Sequence, residues 1–374
     1  MYHRIRDKIR LLWASGGTGI RARLRTVSFG LRVRVPPRPP KIMKILYGLS
    51  ATGNGHVSRA QAIIPELSKY AEVDILSSGP GYGLELKHPV KYKKEGFTFV
   101  FDEKGKIRPL KTIFGNSIKN YIKDLATLDL TEYDLVLTDF EPITAWKARL
   151  KGIPCIGFGH QYAYFSKEFR DKVDVGILHA LTTYFASGGK NLAINYEKTE
   201  DWFFTPILRD EVRKLKPTNG KHITVYLVGY EKEYILEKLL EVPEVQWHFF
   251  NESITKDEII KNVHLRKVDK KTFSESIGSC AGIISGGGFS ATAEALYLGK
   301  KLMVIPLSNH FEQQHNAEML QQMGVTKVDV IDENFSEQIR EWIKNGKTVK
   351  KEYTDVVPEI VQGIIEYAKE KKVN

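Results

Sequence analysis

Two glycine-rich turns carry the residues best suited to chemistry. The turn at 53–56 follows the apolar run 43–49, and the turn at 285–290 follows the apolar run 281–285. Glycines let backbone N–H groups approach a ligand closely, and a helix that begins there directs its positive end to the same place. The two turns therefore indicate a site for an anionic ligand such as a nucleotide diphosphate. Their members are Gly53, Asn54, Gly55 and His56, and then Ser285, Gly286, Gly287, Gly288, Phe289 and Ser290.

The spacing in the first turn excludes two familiar phosphate-binding motifs. Ser58 stands where a dinucleotide-binding fingerprint has its third glycine, and no Gly-Lys-Ser/Thr follows as in a P-loop. His56 can be interpreted as an ordinary residue at a helix start or as a catalytic base. A helix N-terminus disfavours the imidazolium ion, so a histidine there stays able to accept a proton.

A group of polar residues follows the second turn. Glu294 lies about one turn into a predicted helix at 290–300, and Gln313 and Gln314 lie near the start of another at 312–324. A carboxylate accepts two hydroxyl hydrogen bonds, as from a ribose diol, and an amide both donates and accepts, as sugar hydroxyls require. The alternative is an acid in a first helical turn and a solvated pair on a helix surface. The order and spacing of the whole group favour the binding site.

Strand-like and helix-like runs alternate along the chain, and the pattern starts again near residue 206. Such alternation predicts βαβ units and parallel sheets, in which ligands lie beyond the carboxyl ends of the strands. Asp139, which ends the predicted strand 133–139, is expected to cap a helix, to orient a histidine or to bind a second substrate. The predicted fold class is α/β, with two doubly wound Rossmann-like domains that face each other across a cleft. The predicted divisions are a basic extension at 1–42, an N-terminal domain at 43–205, a C-terminal domain at 206–350, and a helix at 351–374 that packs back across the domains.

The first 42 residues concentrate the positive charge of the chain. They hold eleven Lys or Arg and one acidic residue, so almost all of the net charge of +11 belongs to them. The basic pI therefore does not indicate a nucleic-acid partner. Three interpretations stay open: a basic arm for anionic lipids, an organelle-targeting peptide, or an upstream extension with Met43 as the true start. We favour the third and expect this segment to be disordered or loosely packed.

The composition indicates a soluble globular protein. Apolar residues make up 42% of the chain, and there is no run of 18 uncharged apolar residues of the kind that spans a membrane. Cys155 and Cys280 are expected to be buried, reduced thiols, and no Cys/His cluster has the spacing of a zinc site.

The stretch ISGGGFSATAEALYLGKKLMVIPLSNHFEQQHNAEMLQQMGV, 284–325, resembles the donor site of GT-B glycosyltransferases. It is most similar to the type that transfers N-acetylglucosamine from UDP to a lipid-linked acceptor in peptidoglycan synthesis, and GNGHVSRA, 53–60, resembles that family's acceptor-side loop. The resemblance implies a GT-B hexosyltransferase that moves a hexose or N-acetylhexosamine from a nucleotide-diphosphate sugar, UDP-linked, to an acceptor hydroxyl with inversion. One departure is that Gly286 and Gly287 stand where relatives often carry a His or Arg, so this loop offers the phosphates no cation.

The resemblance also implies roles for individual residues. Glu294 would hold the nucleotide ribose, Gln313 and Gln314 would contact the donor sugar, and His56 would lie near the reacting centre. From the residues themselves, His56 is the candidate base and Asp139 the candidate catalytic residue beside it. Further donor contacts would fall on Gly229, Ser285, Gly286, Gly287, Gly288, Phe289 and Ser290, and the acceptor side of the cleft would include Gly53, Asn54, Gly55, His160 and Gln161. No metal ion is expected, because no Asp-x-Asp motif stands at a predicted strand end. No cofactor is expected either, because the nucleotide sugar is itself a substrate.

The acceptor and the location are less directly indicated. A lipid-linked acceptor would place the protein in the cytoplasm at the inner face of the membrane, in the synthesis of a cell-envelope polysaccharide or glycolipid. The region 87–124 mixes Lys, Arg, Phe and Tyr, and is either a rim that meets the membrane or an ordinary solvated surface. Two other functions stay open: a UDP-sugar 2-epimerase on the same fold, and a non-catalytic nucleotide-sugar-binding protein.

Overall fold

Two mainly parallel sheets of seven strands each make up the core of the computed structural model. The structure describes residues 42–51, 54–79, 86–96, 117–166, 184–308 and 310–373. Both sheets belong to one compact unit, residues 42–374. The α/β class with two doubly wound halves is confirmed. The basic extension up to residue 41, Gly53, and residues 97–116 of the predicted membrane rim lie outside the described residues.

The first half contains the strands β1 (Lys44–Ser50), β2 (Glu72–Ser78), β3 (Tyr92–Lys94), β4 (Leu135–Asp139), β5 (Cys155–Gly159), β6 (Lys190–Ile194) and β7 (Phe203–Phe204). Its helices are α1 (Asn54–Leu67), α2 (Ile118–Thr127) and α3 (Pro142–Lys151), with a 3₁₀ turn at His160–Phe165. The strand order is β3-β2-β1-β4-β5-β6-β7, all parallel. The order reverses between β1 and β4, so the crevice at the carboxyl ends opens between the loop after β1 and the end of β4.

The second half contains β8 (His222–Tyr226), β9 (Gln246–Asn251), β10 (Glu258–Ile260), β11 (Val263–Lys267), β12 (Gly282–Ser285), β13 (Lys301–Val304) and β14 (Thr326–Lys327). The helices from here on are α4 (Asp210–Arg213), α5 (Lys232–Leu240), α6 (Lys270–Ser279), α7 (Phe289–Tyr297), α8 (Phe311–Gln322), α9 (Phe335–Asn345) and α10 (Val357–Val373). The strand order is β10-β11-β9-β8-β12-β13-β14, and the pairing of β10 with β11 is antiparallel. This order reverses between β8 and β12, which places the second crevice at the loops that follow them.

The central strands are short apolar runs because helices cover both faces of a parallel sheet. All five residues of β4 and all four of β12 are buried. Each run ends in a polar residue, Asp139 in β4 and Ser285 in β12. Each of these two buried strands therefore places one polar side chain at the carboxyl edge of its sheet.

The last helix, α10, returns to the first half. Ile360 and Ile364 are buried in the same apolar cluster as Val57 and Ile63 of α1, and burial of each such side chain stabilises the fold by about 1.5–3 kcal/mol. Lys372 of this helix also pairs with Asp134 beside β4, at 3.2 Å. The two halves thus share apolar core as well as a chain connection.

Cys155 and Cys280 are both buried and unbridged, as the sequence predicts. In the described part of the chain, no helix combines the length and the apolar character needed to cross a membrane.

Candidate active site

The crevice between β1 and β4 holds a hydrogen-bonded cluster of ionisable side chains. His56 is the third residue of α1, and its Nδ1 lies 2.8 Å from Oδ1 of Asp139. Arg59, one turn further along α1, donates from Nε and Nη2 to the two oxygens of Asp139, at 3.0 and 2.6 Å. Tyr47 of β1 donates its hydroxyl to Asp139 at 3.2 Å. The sequence prediction that Asp139 orients a histidine therefore agrees with the geometry.

The tautomer of His56 decides what this cluster can do. Nδ1 also lies 2.8 Å from Nη2 of Arg59, so it either donates a proton to Asp139 or accepts one from Arg59. Only the first arrangement leaves a lone pair on Nε2, and within the described residues Nε2 takes part in no hydrogen bond. A histidine held in this way by a carboxylate is suited to act as a general base.

Charge keeps Asp139 in the form that this arrangement needs. Burial alone would raise the pKa of this fully buried carboxyl group, but the charge of Arg59 and the hydrogen bonds from Arg59 and His56 outweigh it. The pKa of Asp139 is therefore held below its usual value, and the group is ionised at neutral pH. Burial and the charge of Asp139 together raise the pKa of Tyr47, so its hydroxyl stays a donor.

Two residues beside Asp139, Phe140 and Gly159, have a positive φ angle. Phe140 follows with φ of 54°, a left-handed conformation that is costly for a bulky side chain. Gly159, at the end of the neighbouring strand β5, has φ of 141°, and a Cβ there would lie 3.1 Å from Oδ1 of Asp139 and 3.4 Å from Nη2 of Arg59. A side chain at this position would crowd the ion pair, so glycine leaves the space that the pair occupies.

A second buried carboxyl group, Glu141, follows two residues after Asp139 and has a different role. It caps α3 by accepting from the backbone N–H groups of Ile143 and Thr144, and it also accepts from the Ser78 hydroxyl. Burial raises the pKa of Glu141, because these hydrogen bonds offset the desolvation only in part. The capping role that the sequence allowed for Asp139 therefore falls to Glu141.

The loops at the second crevice are built around Gln313, Gln314 and Leu307. The Oε1 atom of Gln313 accepts from the backbone N–H of Leu307 at 2.9 Å, and Nε2 of Gln314 donates to the Leu307 carbonyl at 3.0 Å. Gly229, after β8, lies against Leu307. Gly287 has φ of 82°, and a Cβ there would lie 3.0 Å from the carbonyl oxygen of Gln313. The predicted donor-side residues are thus brought together, and both glutamines hold the loop that carries Leu307.

The two glycine turns face each other. A Cβ built at Gly55 would lie 3.6 Å from Oγ of Ser290, in the first turn of α7, and 3.7 Å from Nη1 of Arg59. Among the described residues, a Cβ built at Gly288 would meet no heavy atom within 4 Å. In the described part of the chain, open space therefore lies in front of the N-terminus of α7. The roles predicted for Asn54, Gly55, Ser285, Gly286 and the other members of the two turns stay predictions.

Glu294 forms an ion pair that the sequence did not indicate. Arg209, from the segment between the two sheets, donates from Nε and Nη2 to the two carboxylate oxygens of Glu294, at 2.6 and 2.7 Å. Glu294 is almost fully buried in α7. A carboxylate oxygen has more than one lone pair, so the pair leaves acceptor capacity for ribose hydroxyls, and that role of Glu294 stays a prediction.

His160 and Phe289 join the two halves. Their rings stack with centroids 4.0 Å apart. The Nδ1 atom of His160 lies 2.9 Å from the Ile194 carbonyl and Nε2 lies 2.7 Å from Oδ1 of Asn316, whose amide nitrogen donates to the Gly287 carbonyl. Only 1% of His160 is exposed, and burial lowers its pKa. His160 is thus a junction residue in this structure, with both ring nitrogens already engaged.

Gln161, next in the chain, has an unused acceptor. Its Oε1 atom is buried and takes no hydrogen bond within the described residues, and its Nε2 lies 3.5 Å from Glu312 in α8. The Oε1 atom would lie 3.3 Å from a Cβ at Gly159, which places it beside the Asp139 cluster. The role predicted for Gln161 in the cleft stays a prediction.

Sequence reasoning missed four residues that build this site: Arg59, Tyr47, Asn316 and Arg209. Arg59 had a usable signal, since it lies three residues after His56 and so on the same helix face. Arg209 had none, because the pair that it forms joins segments 85 residues apart. Within the described residues, no group of three or more His, Cys, Asp or Glu is arranged to hold a metal ion.

Solved glycosyltransferase structures share this fold. The glycotransferase of kitacinnamycin matches 89% of this chain and 96% of its own, with a TM-score of 0.55 and 14% identity. Glycosyltransferase VinC, solved in complex with dTDP, matches 88% of this chain and 100% of its own, with a TM-score of 0.52 and 14% identity. Arabidopsis thaliana UGT89C1, solved with UDP-L-rhamnose, matches 88% and 96%, with a TM-score of 0.54 and 13% identity. At these identities the likeness establishes the GT-B fold.

The sequence itself carries the family assignment. A protein of Methanosarcina acetivorans, described as an uncharacterized glycosyltransferase, is 25% identical over 327 residues, which is 76% of this chain and 83% of its own. A second, from Methanosarcina mazei, is 24% identical over 355 residues, 80% of this chain and 93% of its own. The profile of glycosyl transferase family 1 matches residues 43–345, a span that includes both crevices. The chain belongs to glycosyl transferase family 1 and is a glycosyltransferase.

Proposed function

We propose that this enzyme moves a hexose or N-acetylhexosamine from a UDP-linked donor to an acceptor hydroxyl, with inversion at the anomeric carbon and without a metal ion. The observation that carries the proposal is the pairing of His56 with the ionised Asp139 at 2.8 Å, in which Nε2 takes no hydrogen bond within the described residues. Inversion requires one base on the acceptor side and one site for the leaving diphosphate on the other. The two facing turns provide one each.

In the proposed reaction the acceptor hydroxyl attacks the anomeric carbon of the donor sugar. The new bond forms as the bond from that carbon to the diphosphate oxygen breaks, and the electron pair stays on the diphosphate. The proton of the hydroxyl passes to Nε2 of His56, while Asp139 stabilises the resulting imidazolium through Nδ1. This type of general base contributes about 10²–10⁴-fold to a rate.

The donor side of the proposal rests on α7. Gly288, its N-cap, makes no side-chain capping bond, so the first N–H groups of the helix are available to the diphosphate. Glu294 in the same helix would accept from the ribose, and Gln313 and Gln314 would contact the sugar. UDP is favoured as the carrier because the resemblance of 284–325 points to UDP-linked donors, and a structural neighbour was solved with UDP-L-rhamnose.

The proposed acceptor is lipid-linked, with the enzyme at the cytoplasmic face of the membrane. Helix α2 supports this part, because none of its residues is buried. Ile118 and Ile122, one turn apart, are 51% and 60% exposed, and Lys119 and Lys123 lie on the same exposed side. An exposed apolar pair flanked by lysines suits the surface of an anionic bilayer. The peptidoglycan-type acceptor implied by the sequence resemblance is one member of this class.

The decisive experiment is a panel of nucleotide sugars read by released nucleotide, with and without acceptor lipids. We expect His56→Ala to lower transfer at least about 10³-fold while donor affinity, measured by calorimetry, changes less than about threefold. His264→Ala, a histidine on β11 far along the second sheet, is the matched control and should retain full activity. Full activity in His56→Ala would remove His56 as the base.

Product analysis separates the two rival functions. A 2-epimerase would convert the UDP-sugar into its epimer without an acceptor and release no glycoside. A non-catalytic binding protein would bind the nucleotide yet show no turnover, and His56→Ala would change nothing.

The proposed membrane contact of α2 is tested by sedimentation with vesicles of phosphatidylglycerol. Co-sedimentation of the protein should be lost in Ile118→Ser/Ile122→Ser, and equal sedimentation of wild type and variant would contradict the role of α2.

A further inference from the structure

The loop that would receive the diphosphate contains no positively charged residue. The stretch 285–290 reads SGGGFS, and α7 continues as ATAEALY. Backbone N–H groups there bring partial charges only, whereas the transfer leaves a full additional negative charge on the departing diphosphate. A cation from another part of the fold would complete the site.

Arg59 is the cation that borders this space. It is 8% exposed, and its Nε and Nη2 are held by Asp139. The third nitrogen, Nη1, takes no hydrogen bond within the described residues, so its N–H donors are available to a ligand. Nη1 and Oγ of Ser290 lie 3.7 and 3.6 Å from the same point, the position of a Cβ at Gly55. The unsatisfied edge of the guanidinium is thus directed to the gap between Gly55 and the first turn of α7.

The bidentate pair with Asp139 explains why this edge is fixed. An arginine held by two parallel hydrogen bonds has its remaining donors in a fixed plane. Asp139 therefore aims Arg59 at the gap while it orients His56 through Nδ1. One carboxylate would position both the base and the group that meets the leaving charge.

We propose that Arg59 is a catalytic residue that binds the distal phosphate of the donor's diphosphate across the domain junction. The inference rests on the proposed function. As the bond from the anomeric carbon to the diphosphate oxygen breaks, the electron pair moves onto that phosphate and the Nη1 donors of Arg59 stabilise it. The acceptor proton goes to Nε2 of His56, so positive and negative charge develop on either side of Arg59. Because Arg59 belongs to the first half and α7 to the second, the diphosphate would link the halves.

The test measures nucleotide affinity rather than activity, because loss of activity alone would also follow from a disordered His56. Calorimetry of UDP, dTDP and GDP, each beside its monophosphate, is done on wild type, Arg59→Met and Arg59→Lys. We expect Arg59→Met to weaken the preferred diphosphate about 10–100-fold, the range for a lost hydrogen bond to a charged group. The monophosphate, which lacks the distal phosphate, should change less than about twofold. Arg59→Lys keeps a charge without the fixed fork and should lie between.

Two matched variants separate contact from positioning. Asp139→Asn disturbs the same cluster but keeps the guanidinium and one oxygen that can accept from it, so it should weaken the diphosphate less than Arg59→Met does. Lys270→Met removes a cation that contacts Gln61 of α1 at the same domain junction, and should leave both affinities unchanged. Equal diphosphate affinity in folded Arg59→Met and wild type, or equal losses in Arg59→Met and Asp139→Asn, would overturn the inference. A wild type that binds none of the nucleotides would overturn the proposed function as well.

Discussion

In the described part of the chain, two arginine–carboxylate pairs have a buried carboxylate, and they differ in what that carboxylate does besides pairing. In the first, Asp139 accepts from Arg59 and also contacts His56 and Tyr47, all within the first half. In the second, both carboxylate oxygens of Glu294 in α7 accept from Arg209, which lies in the chain segment that connects the two sheets. The same bidentate geometry thus serves to organise a reactive histidine in one place and to join two segments of chain in the other.

This difference separates chemistry from binding. A residue that orients a base contributes to the transition state, so its loss lowers kcat, while a residue that holds the donor equally well before and during reaction changes KM. The carboxylate of the first pair should therefore belong to catalysis, and the carboxylate of the second to donor affinity and to stability. Four measurements test this division.

Asp139→Asn should have the largest effect. An amide cannot hold His56 in the tautomer with a free Nε2, nor balance an imidazolium, so kcat should fall about 10³-fold or more. The KM for the nucleotide sugar should stay within about threefold of wild type, as steady-state kinetics at saturating acceptor will measure. A rise in KM with little change in kcat would place Asp139 in donor binding and remove the contrast between the pairs.

Glu294→Ala should show the opposite pattern. Loss of the carboxylate removes the acceptor proposed for the ribose hydroxyls, so donor affinity should weaken about 10–30-fold with a smaller change in kcat. Glu294→Gln, which keeps one acceptor oxygen, should weaken it less. Calorimetry with the intact donor measures both, and thermal unfolding confirms that the variants fold. Unchanged affinity in Glu294→Ala would show that Glu294 serves only to pair with Arg209.

Arg209→Met should act mainly on stability. It leaves Glu294 buried without its partner, which we expect to lower the free energy of unfolding by about 1–2 kcal/mol after allowance for the partial exposure of Arg209. Urea denaturation of Arg209→Met, Glu294→Gln and the double variant forms a double-mutant cycle that isolates the pair. Additive losses would indicate that the two groups do not stabilise each other.

The pH dependence of stability should distinguish the two buried carboxyl groups of the first half. The pKa of Asp139 is lowered in the folded state, so its contribution is complete above the unfolded value of about 3.9 and is lost as the pH falls through the folded value. The pKa of Glu141 is raised, so its contribution is complete below the unfolded value of about 4.3 and is lost as the pH rises through the folded value.

The measurement is urea denaturation of wild type, Asp139→Asn and Glu141→Gln between about pH 3 and about pH 6. The advantage of wild type over Asp139→Asn should grow with pH, and its advantage over Glu141→Gln should shrink. If the difference in free energy of unfolding between wild type and variant changed with pH in the same direction for both variants, the charge of Arg59 would not distinguish Asp139 from Glu141. This is the smallest of the four effects.

Most elements of the fold follow from local patterns. The predicted strand that ends at Asp139 and the predicted helices at 290–300 and 312–324 agree with β4, α7 and α8 within a few residues. The helix α9 was not predicted, although Phe335, Ile339 and Trp342 recur at helical spacing and are all buried. Polar and charged residues outnumber the apolar ones in this helix, but the spacing of the apolar residues still defines a buried face.

The candidate site was predictable in part. His56, Asp139 and the two glycine turns stand out because residue type, strand ends and helix starts are local properties of the sequence. Arg209 and Asn316 do not stand out, since their partners come from distant segments. Their roles depend on how the two halves meet.

By itself, the sequence determined the fold class, the two crevices at the strand ends and the candidate for the base, because periodicity and glycine placement act over a few residues. Only the tertiary structure decided which partner each charged group takes. In the folded protein, Asp139 pairs with both Arg59 and His56, and Glu294 pairs with Arg209. Both ring nitrogens of His160 lie within hydrogen-bonding distance of neighbours at the junction of the two halves. The physical reason is that a buried charge or polar group must find a partner within hydrogen-bonding distance, and that distance is set by the packing of segments remote in the chain.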